Sequence, residues 1–207
     1  MKLKPTRKEI DVFKANFERL LRDIDDKESE EFHKNLVTKF LRDTYYKDLF
    51  FINTKGRNDQ VIHHEESNDS AVAVIMEAKK PKNTAEMLRL DNFNKKALYE
   101  LILYFLREKL TQKNEQLTHI IATNINEWFI FDAKIFDAVF AQNKELVKAF
   151  QDFEAGNLSE KTTYFFYEYI AKPFVEKLEK EDLPFTYFDI RDYEEGLKDV
   201  ELSLIHI

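Results

Sequence analysis

Six apolar residues in a row, Ala71 to Met76, run into Glu77, and Lys79 follows one alanine later. The run has no polar alternation, so it reads as a strand over 71–79 that is buried on both faces and central in a sheet. Such a strand demands covering layers on both sides, and Pro81 helps to end it. Successive strand side chains point to opposite faces, so Glu77 and Lys79 share a face and Ala78 opposes them. A buried strand does not need a carboxylate and an ammonium at its exit, and this pair is the feature to be explained.

The rest of the chain supplies the layers. Phe13, Phe17, Leu20, Leu21 and Ile24 fall at helical spacing and predict a helix over 7–24. Phe32, Leu36, Val37, Phe40 and Leu41 predict a second over 28–44, with Ser29 as its N-cap. The period then changes. "LFFIN" (49–53) and "DQVIHH" (59–64) read as strands, with "EESNDS" as the hairpin loop before 71–79. A helix over 85–110, strands over 117–124 and 127–133, and a mostly helical remainder over 134–192 complete an α/β order. Only three glycines and four prolines occur among 207 residues, which predicts one domain without long linkers. The closing "VELSLIHI" fits either a C-terminal strand or a polypeptide that continues beyond Ile207.

Composition narrows the chemistry. The absence of cysteine excludes disulfides and thiolate metal sites. The N-terminus lacks a signal-peptide apolar region, and no apolar run approaches the length of a membrane span, so a cytoplasmic protein with no membrane partner is expected. The net charge of −7 argues against bulk electrostatic binding of nucleic acid, yet residues 54–96 hold eight basic and seven acidic side chains and stand apart from that balance.

Asp59 opens the strand predicted beside 71–79 and can lie next to Glu77. Two carboxylates and an ammonium at adjacent strand ends can hold Mg²⁺, activate a water and stabilise charge on a phosphate. They can equally be an ion pair at a strand end, worth little energy. From the second helix, Glu30 lies about 70° from the centre of the apolar stripe and Glu31 roughly opposite it. Glu30 is therefore the better placed of the two to reach around the sheet edge, although a solvated acidic first turn favoured by the helix dipole accounts for each of them. His33 reads as a core residue, and His63 and His64 face opposite ways and form a poor chelating pair.

"INTKGRNDQVI", "VAVIMEAKKPKNTAEM", "NKKALYELILYFLREKL" and "HIIATNINEWFIFDA", in this order, closely resemble the N-terminal nuclease domain of type IIG restriction–modification enzymes, from about Glu9 to Tyr193. These are single-chain bacterial proteins in which a PD-(D/E)XK nuclease precedes methyltransferase and target-recognition regions. The resemblance implies a restriction-endonuclease-like core, a mixed central sheet flanked by helices in the order α-β-β-β-α-β, over 7–133. Residues 134–207 would form a helical extension leading toward a methyltransferase domain. It implies a Mg²⁺-dependent DNA endonuclease, with Mn²⁺ as a substitute, in which Asp59, Glu77 and the backbone carbonyl of Ala78 bind the metal. Lys79 would be the catalytic lysine and Glu30 an auxiliary acid. Double-stranded DNA would be the partner, with transient dimerisation on it, and S-adenosylmethionine would belong to the linked methyltransferase. Asn58 stands where the motif proline is expected, and neither a Gly-rich cofactor motif nor N-P-P-[YF] occurs in these residues. The nuclease part of a type I-like restriction subunit, a repair nuclease and a non-catalytic docking module are the alternatives.

Overall fold

The computed structural model describes residues 4–46, 52–53, 60–65, 67 and 69–193. Two helices lead the chain, α1 (Arg7–Asp23) and α2 (Glu30–Leu41). Thr6 and Glu9 close a reciprocal capping box on α1, and the Ser29 hydroxyl accepts from the Phe32 N–H at 3.0 Å to start α2. Then come β1 (Ile52–Asn53), β2 (Gln60–His63), β3 (Val72–Ala78), α3 (Lys96–Leu106), β4 (His119–Thr123) and β5 (Glu127–Asp132). The C-terminal part contributes α4 (Ala133–Phe136), α5 (Lys144–Ala155), α6 (Thr163–Phe166), α7 (Lys172–Val175) and β6 (Thr186–Asp189).

The six strands lie in chain order across one sheet. All neighbours are antiparallel except β3 and β4, which are parallel and joined by α3. All seven residues of β3 are buried, the consequence of its unbroken apolar run. One face of the sheet, with Val74, Met76, Ile121 and Trp128, packs on Phe17, Leu20, Val37 and Phe40 of α1 and α2. The other face, with Ile75, Ile120, Phe129 and Phe131, packs on α3 and on Phe136, Phe140 and Phe150 beyond it. The molecule is therefore an α/β fold with a mixed sheet flanked by helices. The alternation along β3 puts Glu77 and Lys79 on the α3 face.

Two sequence expectations change. The helix expected over 85–110 begins only at Lys96. Residues 83–95 turn instead, because Asn83 binds the Glu86 backbone, Arg89 and Asn92 exchange backbone hydrogen bonds, and the Asn92 side chain accepts from the Asn94 N–H. Asparagine side chains offer the backbone these local partners in place of a helix. The mostly helical reading of 134–192 also misses β6, which extends the sheet at β5. Among the described residues, no helix is long and apolar enough to cross a membrane.

Candidate functional site

The exit of β3 is fixed by its neighbour. The Lys79 N–H donates to the Thr123 carbonyl at 2.8 Å, which carries the ladder one residue past Ala78. Lys79 is 2% exposed and Glu77 fully buried, so both charges lie inside the protein rather than at its surface. The ammonium stands 2.7 Å from a Glu77 carboxylate oxygen and 2.7 Å from Glu100 Oε2. Two further carboxylates are near it, Glu86 at 3.7 Å and Glu30 at 3.8 Å. Burial alone would lower the lysine's pKa, but Glu77 and Glu100 outweigh it and hold the pKa above lysine's ordinary value. Lys79 is thus a fixed cation.

Each carboxylate comes from a different element. Glu30 is the first residue of α2, directly after the Ser29 cap, and Lys34 one turn on pairs with it at 3.4 Å. Glu100 sits on the second turn of α3. Glu86 belongs to the turn segment, where it accepts from Asn83 Nδ2 at 3.0 Å and from the Lys96 ammonium at 2.9 Å. Burial raises the Glu86 pKa, but those two bonds and the charge of Lys79 more than reverse it, leaving it below the usual value.

The structure brings together Glu77, Lys79 and Glu30 of the sequence-derived site. Glu30 is half-buried against the cluster and Glu31 is exposed, as the helical angle required. Asp59 lies outside the described residues. Its neighbour Gln60 opens β2 opposite Met76 and donates from Nε2 to the Lys34 carbonyl at 2.7 Å, tying that end of β2 to α2. His33 is buried, donating to the Ser29 carbonyl at 2.8 Å, and His63 and His64 donate to separate carbonyls, of Ser70 and Gln116. Sequence reasoning missed Glu100. Its signal was present, because it is the one charged residue in "ALYELILYFL", where a solvated position is not available.

The donors in the cluster are hard oxygens, the type that Mg²⁺ prefers. Among the described residues, no three carboxylate or imidazole groups are arranged to hold a metal ion, and the ammonium of Lys79 stands between Glu77 and Glu100. The fit to such an ion is thus one of donor type alone, with Glu77 and the Ala78 carbonyl as the candidates, and the described residues do not by themselves form a metal site.

No curated protein and no solved structure matches the chain. One family model does, over residues 1–203, and the chain belongs to that family, Domain of unknown function (DUF7149).

Proposed function

We propose that the chain is a Mg²⁺-dependent DNA endonuclease domain of the type IIG kind, with a PD-(D/E)XK core, hydrolysing phosphodiester bonds by metal-activated water. The observation that carries the reading is the convergence of Glu77 and Lys79, at the exit of the central strand, with Glu30 from α2. The element order of two helices, three antiparallel strands, a helix and a parallel fourth strand supports it.

On this reading Asp59, Glu77 and the Ala78 carbonyl hold the metal, which when bound supplies an activated water and screens the phosphate. Lys79, a cation across the accessible pH range, acts by orienting water and stabilising developing charge rather than as a base. Glu30 and Glu100 keep its ammonium in place. Double-stranded DNA is the substrate, and target recognition and methylation belong to linked domains, with dimerisation on DNA where both strands are cut.

The test is cleavage of plasmid DNA in Mg²⁺ by the full-length protein and by Lys79→Ala and Glu77→Gln. Each variant is checked by circular dichroism for its fold. Loss of about 10²-fold or more in rate from a folded variant is expected; unchanged cleavage by a folded Lys79→Ala would refute the assignment. A second reading, a non-catalytic docking module, is favoured by the burial of Lys79 and Glu77, since a closed ion cluster can be purely structural. Calorimetry separates the two. Absence of Mg²⁺ and Mn²⁺ binding, unaltered by Asp59→Ala, would support the module.

A further inference from the structure

Beside the Lys79 cluster lies a cavity of about 410 Å³, between α3 and the chain around α6. Lys96, Glu100 and Tyr104 form one wall, and Thr163, Tyr164 and Tyr167 the other. The first three recur at i, i+4 and i+8, so a polar stripe runs down a helix that is otherwise apolar. Glu100 belongs to both places: it lines the cavity, and its carboxylate touches the Lys79 ammonium. A molecule in the cavity is therefore one carboxylate away from the proposed reaction centre.

The lining selects the occupant. It holds no aliphatic side chain. Three phenol rings, one hydroxyl, one buried carboxylate and one ammonium suit a flat, polar-edged ring rather than a lipid or an aliphatic chain. The volume lies within the roughly 300–1,000 Å³ of small-molecule pockets. Tyr104 and Tyr167 are buried, and Tyr167 interacts with both Tyr104 and Thr163, so that part of the wall is built in advance. Burial and the neighbouring Glu100 push the Tyr167 hydroxyl up to about 12, and like any phenol it is protonated at neutral pH and can donate. Tyr164 is 63% exposed, an aromatic ring left at the mouth where a stacking partner can reach it.

We propose that this cavity is a nucleobase subsite. It takes one unstacked base of a DNA strand whose backbone lies at the Lys79 cluster, with Tyr164 as the stacking platform and Glu100 accepting from the amino edge of the base. Lys96 at the rim faces the adjoining phosphate. This inference rests on the nuclease reading and gives it a specific contact to the substrate.

The test uses the full-length protein and a single-stranded 12-mer carrying one central 2-aminopurine, with Ca²⁺ in place of Mg²⁺ so that binding is read without hydrolysis. Wild type should give a saturable fluorescence change. Tyr164→Ala should weaken binding about 5- to 150-fold, the range for loss of one base-stacking contact, while Tyr164→Phe stays within about twofold because the ring remains. Equal affinity and equal fluorescence for wild type and Tyr164→Ala, or no saturable change in wild type, overturns the subsite. Plasmid cleavage is measured in parallel. Cleavage lost in folded Lys79→Ala, with fluorescence unmoved by Tyr164→Ala, refutes the pocket alone. Cleavage that survives Lys79→Ala refutes the nuclease reading itself.

Discussion

Replacing Lys79 by methionine keeps an unbranched side chain, one atom shorter, and removes its charge. At 2.7 Å, and with an effective dielectric constant of about 20, each of the two close pairs attracts by roughly 6 kcal/mol before desolvation is counted. Removing the ammonium takes from the buried Glu77 and Glu100 their nearest cation, leaving Glu100 only Lys96 at 3.7 Å among the ion pairs of the described residues. Breaking a buried ion pair from one side costs about 3–5 kcal/mol. For a chain of this size each kcal/mol moves Tm by about 2–4 °C, so Lys79→Met should lower Tm at pH 7 by roughly 6–20 °C.

The same reasoning fixes the pH dependence. The Lys79 pKa is raised, so its stabilising contribution is complete below the ordinary lysine value and is lost only as pH rises through the still higher folded value. Between about pH 4 and 9 it is present throughout in the wild type. In the variant the two buried carboxylates have lost their nearest cation, which favours their uncharged forms, so the deficit should be smaller at pH 4 than at pH 7. Adding Glu77→Gln and Glu100→Gln should restore at least half of the loss at pH 7. Differential scanning calorimetry of the single and triple variants at pH 4 and pH 7 measures both effects. A Tm change under about 2 °C at pH 7, or a deficit as large at pH 4 as at pH 7, would show that the cluster does not hold buried charge in the way described.

Three further outcomes follow from particular contacts. The Glu86 pKa is lowered, so its contribution is present above 4.5 and lost as pH falls through the folded value; the Tm gap between wild type and Glu86→Gln should close on acidification, and should stay small because the side chain is one-third exposed. Ser29→Ala removes the cap beneath Glu30 and should cost about 1 kcal/mol in urea unfolding. Gly156 ends α5 in the left-handed region at φ 73°, where an added Cβ would also meet the Lys161 side chain. There Gly156→Ala should cost about 1–2 kcal/mol and Gly156→Asn less, by the same measurement.

How much of this was legible in the sequence follows from the range of each signal. β3 was readable because an unbroken apolar run of strand length, bounded by charge, fits little besides a central strand. The Ser29 cap was readable because capping is local, and Glu30 over Glu31 because helical angle is a matter of counting. The turn segment 83–95 was not, since Met87, Leu88, Leu90 and Phe93 mimic a helical stripe and the asparagines that break it look innocuous one at a time. β6 was hidden because "FTYFD" is a short edge strand whose partner, β5, lies about 60 residues away in sequence. Glu100 was hidden for a similar reason. Its partner Lys79, at the exit of β3, is 21 residues distant, and only the parallel crossover through α3 brings the two together.

Charge balance around Lys79 sets the final prediction. Glu30, Glu77, Glu86 and Glu100 bring four negative charges, and Lys34, Lys79 and Lys96 bring three positive ones, within a single ion network. Among the described residues the balance is −1. A phosphodiester carries a negative charge of its own, so an approach to this site is opposed electrostatically unless a cation enters with it. On the proposed reading a divalent ion reverses that sign, and DNA affinity should rise at least about tenfold when Ca²⁺ replaces EDTA at constant ionic strength, a gain of about 1.4 kcal/mol. Glu30→Gln removes one of the four charges without touching β3, and should raise affinity in EDTA and so narrow the difference. Fluorescence anisotropy of a labelled duplex measures both. Equal affinity in Ca²⁺ and EDTA, unchanged by Glu30→Gln, would mean that the backbone of the DNA does not approach these carboxylates, and would favour a structural ion cluster in place of a reaction centre.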